Sequence, residues 1–183
     1  MRDASSRVFL FLALEDLLNG DCGVFVRKLI DKANERYGEG RPHATSFWDA
    51  FSRIQDAGGY QLDNVAKNGG TVSGELFVGE FVNPSLPEGN QAGPGTVHIQ
   101  PFGPIGRFAR PREAVIAQAR YVYTAFHETL HLANQGWYSD EKLARAGHAV
   151  DGTTAPEYEK DDTLNWSKEF DNVLQRHCAY PFK

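Results

Sequence analysis

Residues 127–131 read His-Glu-Thr-Leu-His, two histidines four positions apart with a glutamate beside the first. On an α-helix such positions lie one turn above each other, so His127 and His131 point the same way and can share one metal ion. Imidazole nitrogens suit zinc in a tetrahedral site. Glu128 is rotated by about 100° around the axis from His127. Its carboxylate then stands beside such an ion, free to take a proton from water and pass it to a leaving amine. The chemistry this spacing fits is metal-assisted hydrolysis of a peptide bond. A pair of solvated polar residues would sit among charges, whereas Thr124, Ala125, Phe126, Leu132 and Ala133 are uncharged.

The stretch Tyr-Thr-Ala-Phe-His-Glu-Thr-Leu-His-Leu-Ala at residues 123–133 resembles the active-site helix of the zincin metallopeptidases. The likeness runs from a strand beginning at Thr96, similar to the edge strand on which zincins align substrate, to a helix after Gly136. It implies zinc as cofactor, His127 and His131 as ligands, Glu128 as general base and a protein or peptide as substrate.

A third ligand has to come from elsewhere. Asn134 and Trp137 stand where a metzincin carries Gly and His, which excludes that clan, and Glu157, Glu159 and Glu169 lie in no recognisable gluzincin motif. Asp140 follows the Gly136 turn and resembles the aspzincin ligand. The segment Gly-Trp-Tyr-Ser-Asp at 136–140 departs from that clan in lacking Gly-Thr before the Asp and a Tyr three residues after it. His148 competes, two turns further along the same helix face, and Glu141 or Asp151 are further carboxylates in reach. Asp140 could also cap the helix it begins. Tyr123 and Tyr138 fit core packing better than donation to an oxyanion.

Two other functions are open on sequence. Asn-Gly-Asp-Cys-Gly-Val-Phe-Val at 19–26 resembles the nucleophile motif of the NlpC/P60 cysteine peptidases, with Cys22 as thiolate and His98 as its base, but without that motif's Ser-Gly pair. The other is a catalytically inactive zinc-binding interaction module, against which the intact Glu128 counts. Cys22 and Cys178 are not spaced as zinc ligands. Two buried free thiols are the more ordinary expectation for them, and a disulfide closing most of the chain the less ordinary one.

The elements that must position these residues follow from periodicity. Apolar runs from Arg7 to Leu18 and from Val24 to Ala33 predict two helices, and Phe47, Trp48, Phe51 and Ile54 a third, capped by Ser46 and ended by Gly58-Gly59. Val72 to Val82 and Thr96 to Phe102 read as strands joined by a long loop over Asn83 to Gly95, with Pro101 and Pro104 demoting the second strand to an edge. Val115, Ala119, Val122, Phe126, Leu130 and Ala133 predict the motif helix from Pro111 to a stop at Gly136. Shorter helices follow over Ser139 to Ala149 and around Trp166, Phe170, Val173, Leu174 and His177.

The expected fold is α+β: one zincin-like domain over residues 1–183, helical in its first third, with a short antiparallel sheet packed on the motif helix. A chain of 183 residues with 41% hydrophobic content can bury one sizeable core. A net charge of −5 leaves no basic stripe for nucleic acid. The apolar run from Val8 to Leu14 is too short for a membrane span and lacks the small-residue cleavage site of a leader. The expected setting is therefore the cytoplasm, or a domain of a longer secreted protein.

Overall fold

A computed structural model describes residues 4–38, 44–57, 60–62, 77–82, 96–101, 111–131, 138–159 and 162–178. The order is α1 (Ala4–Leu17), α2 (Asp21–Tyr37), α3 (Phe47–Ala57), β1 (Tyr60–Leu62), β2 (Phe77–Val82), β3 (Thr96–Pro101), α4 (Pro111–Leu130), α5 (Asp140–Val150) and α6 (Thr163–His177). The expected stops at Gly58-Gly59 and Gly136, the loop over 83–95, and Asn134 and Trp137 lie outside the described residues.

Local chemistry accounts for the helix starts. Gly20 precedes α2 with φ +94°, a backbone setting that favours glycine, and Asp21 follows where a negative charge suits the helix dipole. At α3, Ser46 Oγ accepts from the Asp49 N–H at 3.1 Å while Asp49 Oδ2 accepts from the Thr45 N–H at 3.0 Å. This reciprocal capping satisfies donors the helix cannot satisfy itself. Ser139 caps α5, its side chain accepting from the Lys142 N–H, and Asp162 caps α6 by accepting from the Asn165 N–H. Asp140 is thus the first residue of α5 rather than its cap.

Helix packs on helix. Cys22, Phe25, Val26, Leu29, Ile30 and Ala33 recur at steps of three and four and bury one face of α2. That face meets α5, which in turn packs on α6. Gly147 permits the approach: a Cβ there would stand 2.3 Å from Val173 Cγ1 and 3.6 Å from Phe25 Cζ. On the other side Leu10 and Leu14 of α1, Phe47 and Ile54 of α3 and Phe126 of α4 are buried together. Among the described residues no helix is long and apolar enough to cross a membrane.

The α+β expectation is corrected. The body whose side chains are described is helical, and its buried residues come from helices and their flanking turns. The three short strands do not make an antiparallel sheet either: their order is β1-β3-β2, with β1 parallel and β2 antiparallel to β3. The strand beginning at Thr96 is central, not a free edge for substrate. Pro101 is tolerated because it is the last residue of β3, opposite Phe77, and β1 pairs only with Val97 to Ile99.

The expectation of two free thiols is also corrected. Cys22 in the first turn of α2 and Cys178 just past α6 are joined in a disulfide, their Cα atoms 4.5 Å apart. Packing of α2 against α6 brings them together although 156 positions separate them in sequence.

Candidate metal centre

The last two turns of α4 are buried all round. His127 and Glu128 are 8% exposed and His131 3%, so this is not a solvated polar face, and burying three ionisable groups demands partners for each. The helical periodicity that buries Phe126 and Leu130 also carries the two histidines toward α5 and α6.

Each imidazole is held by its Nδ1. His127 Nδ1 lies 2.9 Å from Asp171 Oδ1 on α6, and the Tyr123 hydroxyl donates to the same carboxylate oxygen. His131 Nδ1 donates to the Tyr138 carbonyl, while the Tyr138 N–H donates to the His131 carbonyl at 2.9 Å. A carboxylate or carbonyl behind one ring nitrogen fixes the tautomer and turns the other nitrogen toward a metal.

Both Nε2 atoms converge on one oxygen. Asp140 Oδ1 is 3.1 Å from His127 Nε2 and 3.5 Å from His131 Nε2. Donors bonded at about 2.0–2.2 Å around a tetrahedral ion stand roughly 3.3–3.6 Å from one another. The two separations from Asp140 Oδ1 to the histidine nitrogens are therefore close to those between neighbouring corners of such a site. Glu128 Oε2 is further off, 4.0 Å from His131 Nε2. Among the described residues the group whose donor atoms all lie within 4.8 Å of one another is His127, Glu128 and His131. Asp140 Oδ1 is the carboxylate oxygen nearer to the histidine nitrogens, with Glu128 beside it.

The electrostatics suit a cation. Burial pulls the His127 pKa down, but hydrogen bonds to Asp140 and Asp171 and the charges of Asp171 and Glu128 outweigh it, raising the pKa well above 6.5. Burial likewise raises Asp140, yet the His127 hydrogen bond and the charges of His131 and His127 leave it below its ordinary 3.8. As an ion pair alone the cluster would need only one histidine near Asp140; two Nε2 atoms turned onto the same oxygen have the form of a ligand set.

The rival ligands are occupied elsewhere. His148 lies with Nε2 2.7 Å from Glu169 Oε1 and Nδ1 2.7 Å from Thr153 Oγ1, so neither nitrogen is turned to the centre. Asp151 pairs with Arg176 and His177, and Glu141 with Arg145. Glu157 and Glu159 are exposed. Tyr123 and Tyr138 spend their hydroxyls on Asp171 and on Asn34 Oδ1. The cysteine-peptidase reading fails because Cys22 is bonded to Cys178 and offers no thiolate.

Sequence reasoning missed Asp171. Its only signal is a carboxylate beside the apolar stripe Trp166, Phe170, Val173 and Leu174, a position a surface residue would fill equally well. Phe170 was expected as core, and it packs on both histidines, its ring centroid 4.9 Å from that of His127 and 6.2 Å from that of His131.

No protein family, curated protein or solved structure matches the chain.

Proposed function

We propose that the chain is a zinc-dependent metallopeptidase of aspzincin-like ligand set, with His127, His131 and Asp140 as ligands and Glu128 as general base. The observation that carries this reading is the convergence of both histidine Nε2 atoms on Asp140 Oδ1 beside a buried glutamate. Two neutral imidazoles and one carboxylate, with each imidazole backed by an acceptor, form a donor set that zinc favours.

A bound zinc ion would supply Lewis acidity, polarising a scissile carbonyl and acidifying a water. The protein's own residues do the rest. Asp171 and the Tyr138 carbonyl keep the Nδ1 protons in place, so both rings present lone pairs from Nε2. Glu128, within 4.0 Å of His131 Nε2, takes the proton of the attacking water and returns it to the leaving amine. Phe170 covers the rings and limits the water that reaches them.

The Cys22–Cys178 bond supports action in an oxidising compartment, since cytosolic thiols are kept reduced. The deciding experiment is metal analysis and hydrolysis of an unfolded protein by wild type and Glu128→Gln. One zinc per chain in both, with hydrolysis lost only in the variant and in chelator-treated wild type, is the expected result. Zinc retained without hydrolysis of any unfolded substrate would instead favour a binding module.

A further inference from the structure

Three consecutive residues of α6 reach His148 on α5 and the histidine pair at the end of α4. Glu169 is 9% exposed and its Oε1 lies 2.7 Å from His148 Nε2 on α5. Phe170 packs on the rings of His127 and His131 on and just beyond α4. Asp171 hydrogen-bonds His127 Nδ1. Successive helical residues are turned by about 100°, so α6, packed on α5, fixes Glu169 to α5 and turns Phe170 and Asp171 to the histidine pair. His148 shares α5 with Asp140, about 12 Å along the axis.

Resting on the metal reading, we propose that the buried His148–Glu169 pair is a positioning brace for the metal centre. It sets the rotation and rise of α6 against α5, and through them the separation between Asp140, which faces the ion, and Asp171, which orients His127. The hydrogen bonds of His148 run to Glu169 and Thr153 and not to the proposed ligands. Both ring nitrogens of His148 are engaged, by Glu169 and by Thr153 Oγ1, so the ring has one orientation. The brace acts beside the Gly147–Val173 contact and the Asp151 pairs with Arg176 and His177, which fasten the later part of α6 to α5. Without it the turn of α6 that carries Glu169 and Asp171 can shift, and an Asp171–His127 hydrogen bond a few tenths of an ångström longer loses much of its directing effect.

The test is a double-mutant cycle read by zinc affinity, measured by chelator competition on protein shown to be folded by circular dichroism. Asp171→Asn is expected to weaken zinc about 10–100-fold. Glu169→Leu should weaken it about tenfold, and Glu169→Gln, which still accepts from Nε2–H, by no more than about threefold. If Glu169 acts through Asp171, Glu169→Leu adds little in the Asp171→Asn background, because coupled residues are not additive. The cobalt-substituted protein should show a changed visible absorption in Glu169→Leu and a near wild-type one in Glu169→Gln. Should Glu169→Leu fail to fold, Glu169→Asp, shorter by one carbon, takes its place with an intermediate loss. The proposal is overturned if folded Glu169→Leu or Glu169→Asp binds zinc within about twofold of wild type, or if the losses simply multiply. Wild type that binds no zinc would overturn the metal reading itself, a result these variants cannot mimic.

Discussion

His131 and Tyr138 hold each other twice: the imidazole Nδ1 donates to the Tyr138 carbonyl, and the Tyr138 N–H donates to the His131 carbonyl at 2.9 Å. This two-way bond spans the segment between α4 and α5 and delivers Asp140, two residues after Tyr138, to the face of the histidine pair. The first prediction follows from that delivery. Alanine at His127, His131 or Asp140 should each lower zinc affinity at least about 100-fold, whereas Glu141→Gln, next in sequence to Asp140 but paired with Arg145, should change it less than about threefold. Isothermal titration of the four variants decides it; equal losses in Asp140→Ala and Glu141→Gln would remove Asp140 from the ligand set.

Protons compete with the metal at His127. Its pKa in the metal-free protein lies well above 6.5, so at neutral pH zinc must displace a proton, and apparent affinity should fall about tenfold per unit as pH drops below that raised value. The metal-free protein behaves in the opposite sense. A raised folded pKa contributes stability that is fully present below 6.5 and lost as pH rises through the folded value. Thermal melts with and without zinc should therefore diverge as pH increases, and curves that stay parallel would contradict the assignment.

Closing a loop of this size is worth about 2–5 kcal/mol through restriction of the unfolded chain. Cys22→Ser, Cys178→Ser and reduced wild type should lose the same amount, a fall of about 5–15 °C in Tm for a chain of this length. Melts with and without reductant test this. A single variant more stable than the reduced wild type would argue against the pairing.

Gly147 supplies a prediction about packing. A methyl group there would stand 2.3 Å from Val173 Cγ1, so Gly147→Ala should cost about 1–3 kcal/mol as α5 and α6 are pushed apart. Adding Val173→Ala should return about 1 kcal/mol relative to the sum of the single changes. Denaturant unfolding of the four proteins gives the coupling directly, and strict additivity would mean that the two residues are not in contact.

How much of this was legible in the sequence depended on the range of the signal. The helices could be read because apolar residues recur at steps of three and four in Phe25, Leu29 and Ala33 of α2 and in Phe170, Val173 and Leu174 of α6. The buried His127, Glu128 and His131 share a helix, so their proximity is a local fact. Asp140 was reachable because it lies only nine positions after His131. Asp171 was not, since nothing in a lone aspartate 44 residues from His127 tells which ring it will meet. The fold class was misread because the described core is built by helices, while the short strands Phe77–Val82 and Thr96–Pro101, legible from their β-branched residues, form with β1 a mixed rather than an antiparallel sheet. The pairing of Cys22 with Cys178 was equally invisible, because it depends on how α2 and α6 pack.

The Cys22–Cys178 bond turns everything from the start of α2 to the end of α6 into a covalent ring that contains all the proposed ligands, the base and the brace. A single cut in any loop of that ring opens it without releasing a fragment. The proposed peptidase activity would expose each copy of the chain to its neighbours, and one such nick leaves both pieces tethered at Cys22 and Cys178. Self-cleaved protein would thus migrate as a single band without reductant and as two bands with it.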